Sequence, residues 1–98
     1  MIIFGLALNI WFSAVVEILY FAWMRERIGT EREVIDLPPE VQTLADLVAF
    51  LVERSAGHKT AFENPELIRA AIDQQHATLD TELGTAREIA FFPPVTGG

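Results

Sequence analysis

The sequence predicts an α+β domain in which one main helix lies across a mixed sheet. Three observations predict it. One apolar stripe of helical period runs through residues 43–55. Short segments that alternate, or that are rich in β-branched and aromatic residues, flank it on both sides. A length of 98 residues suffices for one domain with one modest core.

Taken in order, residues 16–22 (Val-Glu-Ile-Leu-Tyr-Phe-Ala) have the composition of a buried strand. Met24 to Ile28 forms a helical turn that ends at Gly29, a natural left-handed stop. Residues 32–37 (Arg-Glu-Val-Ile-Asp-Leu) alternate as a second strand, paired with the first in a hairpin around Gly29-Thr30-Glu31. Pro38-Pro39 ends that strand. Leu44, Leu47, Val48, Leu51 and Val52 then form one face of a helix over Thr43 to Ser55. Thr43 is its N-cap with Asp46 three residues on, and Gly57 is its C′ residue. Such a stripe serves either a partner groove or the core, and the core is the stronger reading. Residues 58–66 read as loop, Leu67 to Ile72 as a short strand and Ala77 to Leu83 as an irregular stretch. Arg87 to Phe92 (Arg-Glu-Ile-Ala-Phe-Phe) is the last strand.

Composition narrows the function. With 14 acids against 7 bases the net charge is −7, which argues against phosphate-backbone binding and suits a partner with a basic surface. The absence of cysteine excludes a disulfide framework, a thiolate metal site and a cysteine nucleophile. His58 and His76 have no partner spacing for a metal site and read as solvated loop histidines; no metal is expected. Asp73, Asp80 and Glu82 read as a solvated acidic face, and Lys59, the sole lysine, as a surface residue. Arg25, Glu26 and Arg27 read as a local surface cluster.

The apolar residues, 51% of the chain, crowd the head. Met1 to Val16 carries no charge, and only Glu17 interrupts the run before Arg25. As a helix, 24 residues would span about 36 Å, enough to cross a bilayer. Against a membrane span stand the lack of a flanking N-terminal Lys or Arg, the cost of Glu17 within the span, and the strand-like composition of residues 16–22.

The other end is the informative one. Phe91-Phe92-Pro93-Pro94-Val95-Thr96-Gly97-Gly98 runs from a strand into two prolines, which fix φ and forbid helix. Six residues from Pro93 reach about 20 Å from the domain. Gly97 and Gly98, without Cβ atoms, fit a channel too narrow for other residues.

This tail resembles that of the MoaD family, the ubiquitin-like sulfur carriers that are small subunits of molybdopterin synthase. The resemblance covers residues 15–98. It takes in Val16-Glu17-Ile18-Leu19-Tyr20-Phe21-Ala22, Arg25-Glu26, Gly29, the helix around Leu44, Ala70-Ala71-Ile72-Asp73-Gln74, and Glu88 through Gly98. The family usually has Asn where Asp73 stands, and a Gly-Asp turn where Ala86-Arg87 stand. The resemblance implies a β-grasp fold, with the domain over residues 16–92, an extended tail over 93–98, and residues 1–15 as an apolar extension outside the family pattern. That extension is expected to be either an added arm or a start-site artefact, with a GTG start at Val15 or Val16.

The resemblance also implies a chemistry. An E1-like adenylating enzyme uses ATP and magnesium to activate the terminal carboxylate, and a persulfide sulfur then leaves a thiocarboxylate on Gly98. Pro93, Pro94, Val95, Thr96 and Gly97 insert into the synthase large subunit, where the sulfur passes to cyclic pyranopterin monophosphate. The carrier holds no permanent cofactor and is not catalytic alone. It works in the cytoplasm, in a heterotetramer with the large subunit, with no nucleic acid and no membrane. Strand alternation sets Phe91 and Phe92 on opposite faces. Partner docking is assigned to these two, Phe92 first, with a core role for both as the equal alternative. The alternative functions are a sulfur carrier for thiamine, cysteine or tRNA thiolation, or a ubiquitin-like modifier joined through Gly98 to lysines.

Overall fold

A computed structural model describes residues 14–94. The expectations for the apolar extension up to Ser13, and for Val95, Thr96, Gly97 and Gly98, lie outside the described residues. Strand β1 (Ala14–Tyr20) is followed by helix α1 (Trp23–Ile28), β2 (Arg32–Leu37), α2 (Leu44–Val52) and α3 (Ala56–Ala61). A 3₁₀ turn (Pro65–Leu67), β3 (Arg69–Ile72), β4 (Gln75–Ala77) and β5 (Glu88–Phe92) complete the order.

The five strands form one mixed sheet in the order β2-β1-β5-β3-β4. Only the β1–β5 pair is parallel; β1–β2, β3–β4 and β3–β5 are antiparallel. The last strand therefore lies in the middle of the sheet. Alternation sends Val16, Ile18 and Tyr20 of β1 to the helix side, with Ile89 and Phe91 of β5 beside them. Leu44, Leu47 and Leu51 of α2 are at most 2% exposed and pack on that layer, while Val48 and Val52 sit half-buried at its edge. The stripe therefore faces the core. At roughly 1.5–3 kcal/mol per fully buried large side chain, these contacts rather than helix propensity hold a nine-residue helix.

Thr43 caps α2 in a capping box: its hydroxyl accepts from the Asp46 N–H, and the Asp46 carboxylate accepts from the Thr43 and Gln42 N–H groups. These bonds hold the Asp46 carboxyl below its usual range.

Several expectations are corrected. β1 starts two residues early, because Ala14 and Val15 pair with Leu37 and Asp36. It stops at Tyr20, where the chain turns through Ala22 at φ 57°. The β1–β2 pairing is antiparallel as expected, but α1 and the left-handed Gly29 (φ 96°) replace a tight hairpin turn. Gly57 is not a C′ residue. The helix caps at Glu53, and Gly57 lies inside α3, packed so closely on α1 that a Cβ there would sit 2.3 Å from the Arg27 carbonyl oxygen.

The stretch 58–66 is not loop at its start. Ser55 caps a helix there by accepting from the His58 N–H. His58 is 6% exposed, not solvated, because α3 turns its ring toward the sheet. A strand was hidden in the Ala77 region: β3 and β4 form a hairpin through Asp73 and Gln74, at φ 49° and 73°. Both positive φ values mark a type I′ turn without the glycine that signals one. Asp73 tolerates this conformation, and its carboxylate braces the turn by accepting from the Arg87 and Glu88 N–H groups. Those bonds lower its carboxyl below the usual range.

Candidate functional site

The centre of interest is the end of β5, where the chain leaves the sheet. Phe91 is 1% exposed, stacked on Tyr20 at 6.3 Å and edge-on to Phe62 at 4.9 Å. Its carbonyl accepts from the Phe21 N–H at 3.1 Å. The register Tyr20↔Phe91 puts both rings on the helix side, so Phe91 is a core residue. Phe92 opposes Arg69, is half-buried, and is the phenylalanine of the pair with surface to offer. Pro93 and Pro94 follow, half-buried and out of the sheet.

Phe21 was not singled out by sequence, yet it is 46% exposed immediately after the buried Tyr20. It belongs with Leu19, Ala90 and Phe92 to the sheet face opposite the helices, since Leu19 and Ala90 are register partners. Strand alternation within 16–22, which sets Phe21 on the face opposite Tyr20, was the signal that would have found it. Farther along the same face stand Val15 and Val34, 54% and 64% exposed, and an Arg32–Glu17 ion pair. The root of the tail thus emerges beside an apolar, aromatic patch with a charged margin.

Beneath it lies a polar cluster that no local signal announced. Glu33 of β2 faces the helix side and binds three groups. The Tyr20 hydroxyl donates to its Oε2 at 2.9 Å, His58 Nε2 meets the same oxygen at 2.6 Å, and Arg54 lies 3.1 Å from Oε1. His58 Nδ1 meets Ser55 Oγ at 2.7 Å. An Nε2–H donor serves Glu33 whether the ring is neutral or charged, and the Ser55 hydroxyl, able to donate or accept, matches Nδ1 in both states. Burial pushes the Glu33 carboxyl up, but the hydrogen bonds of His58 and Tyr20 and the charges of His58 and Arg54 outweigh it, so the group is held below its usual value. Burial, then the hydrogen bond and charge of Glu33, drive the Tyr20 hydroxyl far up, so Tyr20 stays a neutral donor. Every buried side-chain polar atom among the described residues has a partner.

The remaining singled-out residues lie apart. Arg25 pairs with Glu31 at 3.8 Å, and Arg27 lies 4.7 Å from the Trp23 ring centre. Lys59 and His76 are exposed. Asp80 accepts from Thr78, and Glu82 bridges to Thr43. Among the described residues no three His, Cys, Asp or Glu side chains cluster as metal ligands, and no helix is long and apolar enough to cross a membrane.

A mixed five-stranded sheet crossed by one main helix, with its last strand in the centre, defines a β-grasp, ubiquitin-like protein. Within that class the tail sequence and the full-length pattern narrow the choice. The chain belongs to the ThiS family, whose model matches residues 18–98. It is 39% identical over 84 residues to the molybdopterin synthase sulfur carrier subunit of Escherichia coli K12, covering 85% of this chain and 99% of that protein. Among solved structures it resembles a putative molybdopterin converting factor, subunit 1, from Pyrococcus furiosus: TM-score 0.69, 27% identity, 85% of this chain and 100% of the other. It also resembles SAMP1, a small archaeal modifier protein, from Haloferax volcanii: TM-score 0.64, 26% identity, 86% of this chain and 99% of the other.

Proposed function

We propose that this chain is a sulfur-carrier small subunit of a molybdopterin synthase, holding sulfur as a thiocarboxylate on Gly98. The observation that carries this reading is its 39% identity over 99% of the Escherichia coli sulfur carrier subunit. The position of β5 supports it. A strand hydrogen-bonded on both sides fixes the root of the tail at Phe92.

The chemistry follows from the weakness of a carboxylate as an electrophile. At neutral pH the C-terminal carboxyl is ionised, since its ordinary pKa is about 3.3–3.7. An E1-like adenylating partner uses ATP and magnesium to join it to AMP, releasing pyrophosphate. A persulfide sulfur then attacks the acyl carbon and AMP leaves. Reductive cleavage of the resulting acyl disulfide by a thiol leaves the thiocarboxylate. The loaded tail, Pro93, Pro94, Val95, Thr96 and Gly97 leading to Gly98, enters the large subunit, which passes the sulfur to cyclic pyranopterin monophosphate. Phe92 and Phe21 meet the partner at the root of the tail. Two such carriers flank a large-subunit dimer, and the assembly works in the cytoplasm.

The test is intact mass after incubation with the adenylating enzyme of the same organism, ATP, magnesium and a sulfur donor. The expected gain equals exchange of one oxygen for one sulfur; an unchanged mass refutes the carrier reading. Adding the large subunit and the pterin precursor then separates molybdopterin synthesis from another sulfur pathway. The likeness to SAMP1 supports a second reading, a modifier joined through Gly98 to target lysines, whose mark is high-mass conjugates in cells.

A further inference from the structure

We propose that Ser55, His58 and Glu33 form a nucleophile–base–carboxylate relay, in which the Ser55 hydroxyl takes an acyl group from an activated carboxylic ester. The three side chains stand in line. Ser55 Oγ lies 2.7 Å from His58 Nδ1, and His58 Nε2 lies 2.6 Å from Glu33 Oε2. A hydroxyl within hydrogen-bond reach of a base, itself oriented by a third group, is the arrangement that activates a serine. Glu33 sets the tautomer. Its carboxyl is held below its usual value, so at neutral pH it is ionised and only accepts. Nε2 therefore carries the proton of the neutral ring, and Nδ1 turns its lone pair to the Ser55 hydroxyl. The hydroxyl oxygen also accepts from the His58 N–H at 3.1 Å. With one lone pair used there and its proton on Nδ1, a second lone pair remains for attack.

Burial separates the roles. His58 is packed edge-on against Tyr20 at 6.0 Å and held inside the fold, whereas Ser55 is exposed and open to a reagent from solvent. Glu33 from β2 and Tyr20 from β1 face the ring, and the Tyr20 hydroxyl stays neutral. Arg54 sits on the far oxygen of Glu33, and Arg27 of α1 reaches the Thr60 carbonyl instead. In the step, the Ser55 oxygen bonds to the acyl carbon as its proton passes to Nδ1. The ester C–O bond then breaks, and the alcohol leaves with that proton. The imidazolium formed in between faces the Glu33 carboxylate, which stabilises it. The product is an O-acyl ester on Ser55. The inference is independent of the chemistry at Gly98.

The experiment is acetylation of the full chain by p-nitrophenyl acetate, read by intact mass and peptide mapping. Hydroxylamine removes esters and spares amides formed at Lys59 and the N-terminus. Expected is one acetyl ester at Ser55, formed about a hundredfold faster than at Ser13, the other serine of the chain. Its rate rises with pH to a plateau, because only the neutral ring accepts the proton. His58→Gln slows the labelling about a hundredfold. Glu33→Gln, which keeps an acceptor for Nε2 but not the charge, slows it about tenfold. Ser55→Asp abolishes it while still capping α3, and its thermal melt reports the intact fold. The proposal is overturned by no acetyl ester at Ser55, by equal labelling of Ser13, by an unchanged rate in His58→Gln, or by a rate that climbs with hydroxide without a plateau.

Discussion

Replacing Glu33 by Ala removes the acceptor shared by Tyr20, His58 and Arg54. Arg54 is 38% exposed at its side chain and turns to water, so it contributes little to the loss. The other two donors cannot: Tyr20 is 1% and His58 6% exposed, and both lose their acceptor inside the fold. At roughly 1–3 kcal/mol for each of the two buried groups left unsatisfied, the variant loses about 2–6 kcal/mol, which spans the roughly 3–5 kcal/mol lost when a buried charge pair is broken. For a domain whose whole stability is about 5–15 kcal/mol, that is a melting temperature lower by roughly 10–30 °C. Urea unfolding at pH 7 measures it as a lower midpoint at unchanged slope.

The pH dependence checks the cause. The folded Glu33 carboxyl is held below its usual 4.5, so its stabilisation is complete above that pH and disappears as pH falls through the lower folded value. The gap between wild type and variant therefore narrows on acidification below about 4.5. A loss under about 0.5 kcal/mol at pH 7, or a gap that widens in acid, would refute the reasoning.

Other outcomes follow from single contacts. Gly57→Ala forces a Cβ against the Arg27 carbonyl, so despite the better helix propensity of Ala it destabilises by about 1–3 kcal/mol in a thermal melt and separates α3 from α1. Thr43→Val removes the hydroxyl that caps α2 and costs about 1 kcal/mol in the same measurement. Phe21→Ser leaves the melt nearly unchanged because the ring is half exposed, but weakens association with the large subunit about tenfold or more in calorimetry. Deleting Gly98 abolishes sulfur loading by intact mass while the circular dichroism spectrum stays as it was.

Secondary structure was legible wherever one segment contains its own cause. Thr43 with Asp46 and the Leu44-Leu47-Leu51 spacing carry the start and the buried face of α2 within nine residues, though not its end at Val52. Alternation over 32–37 carries β2, and Gly29 carries its turn. The tail motif at Pro93–Gly98 was likewise readable, because its prolines and glycines restrict or free the backbone wherever they stand. The β3–β4 hairpin was missed because its turn uses Asp73 and Gln74 in place of glycine, and what makes Asp73 suitable is the bond it receives from the 87–88 backbone.

What tertiary structure alone decided are the meetings of distant residues. Glu33 and His58, 25 positions apart, look solvated in sequence because each is polar within an ordinary local pattern. His58 is buried and Glu33 half-buried because the sheet and α3 close over them, and this is tolerable because they bond each other and their neighbours Ser55, Tyr20 and Arg54. Likewise Phe91 and Phe92 are identical in type, and only the parallel register with Tyr20 decides that the first is core and the second surface. Sequence by itself determined β1, β2, α2 and β5, since backbone preferences and side-chain types are local. Pairing order and burial of charge depend on which surfaces meet, and that is a property of the whole packed chain.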